Sequence, residues 1–370
     1  MANLTETFTA IANAIRNKTG DNSKLTPSQM ATQINSLNIF IKNKLGLYGN
    51  LMLTNACRDL SAASIPNKVA IFAGGKNDSN NTYYNTITAF NNTLVKGSPG
   101  RLSTPKSCFA ATNIHDYIIL AGGSTAANNT QEVNVFNINY TVSTISNLSA
   151  LNSLYTYGCT LKDRAIIYTG GSNIIDTYDV KLTKGTLNNT SYTRNNPMMA
   201  ASNDGFMIAG GRGSSNNILS DAEVYNSNFT KYSNVNMSQA RYFGTAVGNY
   251  AYILVAGGVT DNGYSNIVNV FNGTTFTLER TDNLGMNSAG AASTIVAGTS
   301  IVAGGTNSAG ASTITHVDTF QNNYTIMPTD VTLSEARQNF AATTIGNYAL
   351  FGGGYNTRGV TNTIDVFYTI

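Results

Sequence analysis

Residues 250–271 read YAYILVAGGVTDNGYSNIVNVF, and their pattern decides the fold. An apolar run closes on Gly257-Gly258, a polar loop from Val259 to Asn266 follows, and "IVNVF" (Ile267 to Phe271) alternates apolar and polar residues. Alternation at period two marks a half-buried strand. The first run is apolar almost throughout, as a strand covered on both faces must be. Working outward, "RYFGTAV" (Arg241 to Val247) supplies a strand before the turn Gly248-Asn249, and "TFTLE" (Thr275 to Glu279) supplies an outer strand. The unit recurs. Gly-Gly pairs begin at Gly74, Gly122, Gly170, Gly210, Gly257, Gly304 and Gly353, at intervals of 48, 48, 40, 47, 47 and 49 residues. Each is followed by a strand ending in an aromatic: Phe90, Phe136, Tyr178, Tyr225, Phe271, Phe320 and Phe367. A period in the forties built of short strands is the signature of a propeller blade. The expectation is an all-β, seven-bladed β-propeller over residues 41–370, preceded by a small α-helical hairpin in residues 1–40.

The two ends show how the disc closes. The last repeat stops at "TIDVFYTI", its third strand, whereas "LYGNLMLT" (Leu47 to Thr54) precedes the first repeat without a repeat of its own. We expect residues 47–54 to supply the missing outer strand of the seventh blade and so remove its open edge.

Composition narrows the function classes. Of 370 residues only 11% are charged, and the net charge is +3, too weak a field to argue for nucleic acid. No run approaches the roughly 20 apolar residues of a membrane span. "MANLTETFTAIANAIRNKTG" lacks the apolar core of a secretory signal. Cys57, Cys108 and Cys159 are odd in number and without local pairing, which points to buried thiols rather than disulfides. Only His115 and His316 exist, in different blades and different strand positions, too few for a His-rich metal site. No glycine-rich loop opens a helix, so a phosphate cradle is not expected. The expectation is no enzyme, no catalytic residues, no metal and no cofactor.

An apolar strand ending in Gly-Gly, a polar loop and an aromatic-ended strand, repeated seven times, resemble the Kelch repeat over residues 46–370. Kelch blades commonly carry a Trp after the aromatic. This chain has no Trp, and Tyr140, Phe229, Phe276 and Tyr324 stand in the outer-strand position. Ahead of the repeats, "TETFTAIANAIRNKTG" sets Phe8, Ile11, Ala12 and Ile15 on one helical face. "TPSQMATQINSL" offers Thr26 as N-cap, Pro27 as first helical residue, and Met30, Ile34 and Leu37 as an apolar stripe. "FTAIANAIRNKTGDNSKLTPSQMATQI" (Phe8 to Ile34) resembles the N-terminal motif of tail structural proteins of phages that infect Gram-positive bacteria. That resemblance implies a component of a virion or tail-like particle, made in the host cytoplasm. Phe8, Ile11, Ile15, Met30, Ile34 and Leu37 would attach it to other tail or baseplate proteins. A homo-oligomer, a trimer as in many tail fibres, is compatible with it.

One further constellation repeats. Sixteen residues before the first glycine of the pair stand Arg58, Lys106, Arg194, Arg241 and Arg337, with Leu154 and Ser288 in blades 3 and 6. By strand parity this position shares a face with the long loops. Two readings compete: a positive ring that captures an anionic polymer such as a teichoic acid or acidic glycan, or basic side chains that bond backbone carbonyls between blades. The loops of that face, "KNDSNNTYYN", "RGSSNNILS", "VTDNGYSN" and "YNTRGVTN", carry Tyr83, Tyr84, Arg212, Tyr264, Tyr355 and Arg358 as candidate contacts for sugars or proteins. The reading is a tail or baseplate protein that recognises a bacterial surface glycan or protein, without nucleic-acid or membrane partners. The alternatives are a purely structural tail protein and a carbohydrate-active enzyme on a propeller.

Overall fold

The computed structural model describes residues 45–151, 155–308, 313–327 and 329–369. They form seven four-stranded antiparallel sheets and three two-stranded ones, and contain no helix. The helical hairpin expected before residue 41, with Phe8, Ile11, Ile15, Met30, Ile34 and Leu37, lies outside the described residues.

Blade 5 shows why the sequence makes a blade. Its strands are Thr245–Gly248, Tyr252–Ala256, Ile267–Asn272 and Leu278–Asn283, paired in that order. Along the second strand, Ile253 and Val255 pack with Met207, Ala209 and Val224 of blade 4. Leu254 and Ala256 pack with Val302, Phe320 and Tyr324 of blade 6. The two faces of one strand therefore serve opposite neighbours, which is why the run is apolar without alternation. The same division recurs in blade 1, where Ala70 and Phe72 meet blade 7 while Val69 and Ile71 meet blade 2. Each fully buried Leu, Ile, Val or Phe contributes roughly 1.5–3 kcal/mol, so the core is a continuous ring of such inter-blade layers.

The Gly-Gly pair is the joint between blades. The N–H of its second glycine donates to a carbonyl just before the next blade: Gly75 to Lys106 (2.9 Å), Gly211 to Arg241 (3.0 Å), Gly258 to Ser288 (2.7 Å) and Gly305 to Arg337 (2.8 Å). Gly257 lies at φ +63°, and a Cβ there would strike the Ser288 carbonyl. Blade 3 keeps the bond, Gly171 to Arg194 (2.9 Å), but has a loop of only five residues between strands Arg164–Thr169 and Ile175–Asp179. That short loop explains the 40-residue interval between Gly170 and Gly210.

The ring closes as its ends imply. Leu45–Met52 pairs antiparallel with Thr363–Thr369 as the outer strand of blade 7, with a bulge between Leu47 and Gly49. Leu45 sits opposite Thr369, on the face that carries the first-to-second strand turns. The long loops lie on the other face, because Tyr355–Asn356 directly precedes the start of that same strand.

Candidate recognition face

The basic residues stand at the inter-blade joint, and four of them point inward. Lys106, Arg194, Arg241 and Arg337 are all 0% exposed. Lys106 Nζ donates to the Leu120 and Glu132 carbonyls, at 3.3 and 3.2 Å. Arg194 Nη1 donates to Gly210 O (2.9 Å) and Nη2 to Glu223 Oε1 (3.0 Å). Arg241 Nη2 donates to Val255 O (3.0 Å) and Asn269 Oδ1 (2.7 Å). Arg337 Nη2 donates to Phe351 O (2.9 Å) and Asp365 Oδ2 (2.6 Å). Each side chain thus clasps the end of the second strand to the third strand of its own blade. Burial lowers the Lys106 ammonium to about 8 against the pull of Glu132, and lowers the Arg241 guanidinium to about 10. These four side chains are buried and bonded inside the blades, Arg241 to neutral acceptors alone and with its Nε and Nη1 unpartnered, and they are not presented to an anionic polymer, so the expected positive ring does not form on the surface.

Arg58 differs because blade 1 is out of step by one residue. Its first hairpin pairs Ile65 with Val69, leaving three residues in the turn, whereas blade 2 pairs Ile114 with Tyr117 and leaves two. Cys57, not Arg58, therefore holds the clasp position. Its Sγ donates to Gly74 O at 3.5 Å, and its carbonyl accepts the Gly354 N–H at 2.8 Å. Arg58 is left partly exposed, paired with Asp59 and Asp78, and lies 5.2 Å over the Tyr355 ring. Leu154 lies outside the described residues. Ser288 Oγ, the equivalent in blade 6, donates to Gly304 O at 2.6 Å.

Two residues beyond the clasp, the chain turns into the central throat. Asp59, Cys108, Asn196, Phe243 and Asn339 all have positive φ, between 52° and 59°, as does Gly290 at 64°. Each passes a backbone hydrogen bond around the axis: Cys108 to Asp59 O (2.8 Å), Asp59 to Asn339 O (2.9 Å), Asn339 to Gly290 O (3.0 Å), Gly290 to Phe243 O and Phe243 to Asn196 O (both 2.9 Å). These residues, with Tyr155 and Tyr157, surround a cavity of about 180 Å³. Asn339 Nδ2 donates to Asp59 Oδ1 (2.9 Å), and the Tyr157 hydroxyl donates to Asn196 Oδ1 (2.9 Å). Burial pushes the Asp59 carboxyl up, against the opposing pull of Arg58. The sequence reading missed this ring because its members share a backbone conformation rather than a residue type. Their fixed offset from the clasp was the available signal.

The loop face also carries three short hairpins. Lys76–Asn77 pairs with Thr82–Tyr83, Val259–Thr260 with Gly263–Tyr264, and Tyr355–Asn356 with Gly359–Val360. The segments read as polar loops are thus partly ordered strands. Tyr264 and Tyr355 meet Tyr242, Phe243, Gln338 and Thr306 around a cavity of about 340 Å³. Arg212 lies 4.4 Å over the Tyr242 ring, and Lys76 lies 5.4 Å over Tyr83. Tyr84 is half-buried at the root of its hairpin, its N–H on Gly75 O at 2.9 Å. Arg358 is exposed at a hairpin tip, its N–H on Asn356 Oδ1 at 2.8 Å. The structure thus gathers Arg58, Arg212, Tyr83, Tyr84, Tyr264, Tyr355 and Arg358 on one face and leaves the four buried bases out. Among the described residues no three His, Cys, Asp or Glu side chains come together as metal ligands.

No protein-family model matches the chain, and no curated protein matches it. Among solved structures the chain is similar to YjhT, with a TM-score of 0.57, 11% identity, and coverage of 75% of this chain and 99% of that one. That likeness shows the fold. The protein is a seven-bladed β-propeller.

Proposed function

We propose that this propeller is a recognition module of a phage tail, baseplate or tail-like particle, held through residues 1–40 and presenting its loop face to a bacterial surface glycan or protein. The observation that carries the reading is polarity. The chain enters at Leu45 on the turn face, and the tyrosine-bearing hairpins stand on the opposite face. A tether at one end and adaptable Tyr, Asn and Ser contacts at the other suit display toward a partner. The resemblance of Phe8 to Ile34 to phage tail proteins supplies the particle, and the Kelch-like repeat supplies a fold in which one face is variable. The module acts by binding and not by catalysis, with Asp59 the carboxylate at the throat.

The test is saturable binding of the fluorescently labelled full chain to intact Gram-positive cells. The triple variant Tyr83→Ala, Tyr84→Ala, Arg358→Ala should lose binding, and Tyr250→Ala, on the turn face and 79% exposed, should keep it. Failure to bind any strain of a broad panel would replace host recognition with a structural role among tail proteins.

A further inference from the structure

We propose that the cavity between blades 5, 6 and 7 is a subsite for one neutral pyranose ring of a glycan, a reading that rests on the loop face being the recognition surface. Its wall combines the aromatic side chains of Tyr242, Tyr264 and Tyr355 with the polar groups of Gln338, Thr306 and Ser308. A pyranose has a C–H face that packs on aromatic rings and equatorial hydroxyls that need both donors and acceptors. An amide and hydroxyls beside aromatic faces meet both requirements. The volume, about 340 Å³, lies at the small end of ligand cavities and suits a single ring.

Charge decides between a neutral and an anionic sugar. Among the described residues, no charged side chain lines the cavity. The nearby Arg58 is committed to Asp59 and Asp78 and covers the Tyr355 ring. Arg212 lies over the Tyr242 ring and donates to Asn216 Oδ1, outside the lining, so an anionic sugar would find no cation in the described wall to offset its desolvation, whereas a neutral ring loses nothing by its absence.

The wall is also held in place before any ligand arrives. Tyr264 is paired with Val259, and Tyr355 with Val360, in two-stranded hairpins. Gln338 Nε2 donates to the Tyr355 hydroxyl at 2.9 Å, and the Gln338 N–H donates to the Tyr355 carbonyl at 3.1 Å. Arg212 lies against the Tyr242 ring. Fixed side chains spare the ordering cost that usually weakens sugar binding.

The experiment is saturation-transfer NMR on the full chain with the methyl glycosides of glucose, galactose, N-acetylglucosamine and rhamnose. At least one should receive saturation at its ring C–H protons. Tyr264→Phe should keep the effect, and Tyr264→Ala, with unchanged melting, should weaken binding by roughly tenfold or more. Affinity should stay level between about 0.05 and 0.5 M salt, since a neutral ligand is not screened. No transfer to any of the four, equal transfer in Tyr264→Ala, or affinity that falls with salt would overturn the subsite. If Tyr264→Ala still binds cells like the parent, only the subsite falls. If the parent binds no cells, the recognition reading falls with it, whatever the glycosides show.

Discussion

At the scale of single residues, the clasp is where sequence and structure diverge most usefully. Five basic residues at a fixed distance from a glycine are legible as a repeat, but not as buried or exposed, because the distance says nothing about which way a side chain turns. Arg58 was miscounted for a physical reason: one extra residue in the blade 1 hairpin moves Cys57 into the clasp. The clasps also differ in their partners. Arg337→Ala would strand Asp365, itself 0% exposed, and should cost about 3–5 kcal/mol in urea unfolding. Arg241→Ala removes bonds to the neutral Asn269 and a carbonyl, and should cost less, roughly 1–3 kcal/mol. Equal losses would mean that the buried charge pair has no special weight. Alkaline stability is a second residue-scale prediction. Burial, with Asp59 adding to it, pushes the Cys57 and Cys108 thiols up to about 12, while unfolded thiols ionise near about 8.5. Between those values the folded state holds protons that the unfolded state releases, so stability falls as pH rises through the window. Lys106 acts oppositely between about 8 and its unfolded value of about 10.4, but it is one group against three, since burial raises the Cys159 thiol as well. Urea midpoints should therefore drop from pH 8 to pH 10, and a Cys57→Ala, Cys108→Ala variant should show a flatter or reversed slope.

At the scale of elements, the strands were legible because each blade repeats the same apolar run and glycine pair. The closing strand was legible because one repeat lacks its fourth strand and the chain has an orphan segment to supply it. The small hairpins of the loop face were not, since two-residue strands such as Val259–Thr260 carry no periodicity to read. Closure predicts unequal truncations. Deleting residues 47–54 removes most of the partner of Thr363–Thr369 and exposes an edge, so it should lower the melting temperature far more than deleting residues 1–40. Equal melting of the two truncations would contradict closure by this strand. The joint predicts a contrast between glycines. Gly257→Ala would drive a methyl into the Ser288 carbonyl as well as straining a φ of +63°, and should destabilise by several kcal/mol. Gly263→Ala strains only φ in open space and should cost about 1 kcal/mol, as chemical denaturation would show.

At the scale of the whole molecule, the disc has two unlike ends, and that polarity was only half visible beforehand. Strand parity put the loops on one face, but the position of Leu45 on the other emerges from its pairing with Thr369. The throat was invisible because its ring takes one residue from each of six blades, mixing Asp, Cys, Asn, Phe and Gly at equivalent places, with Tyr155 and Tyr157 added from blade 3. The outer strand of blade 7 has a mechanical consequence. On the proposed display, a pull between a tether ahead of Leu45 and a partner gripped by the opposite face would run along the strand axis. The rungs from Leu45–Thr369 to Met52–Thr363 then bear load together in shear, rather than opening one at a time like a zipper. A strand that serves at rest to cover an edge would, under tension, resist by shear across its whole length.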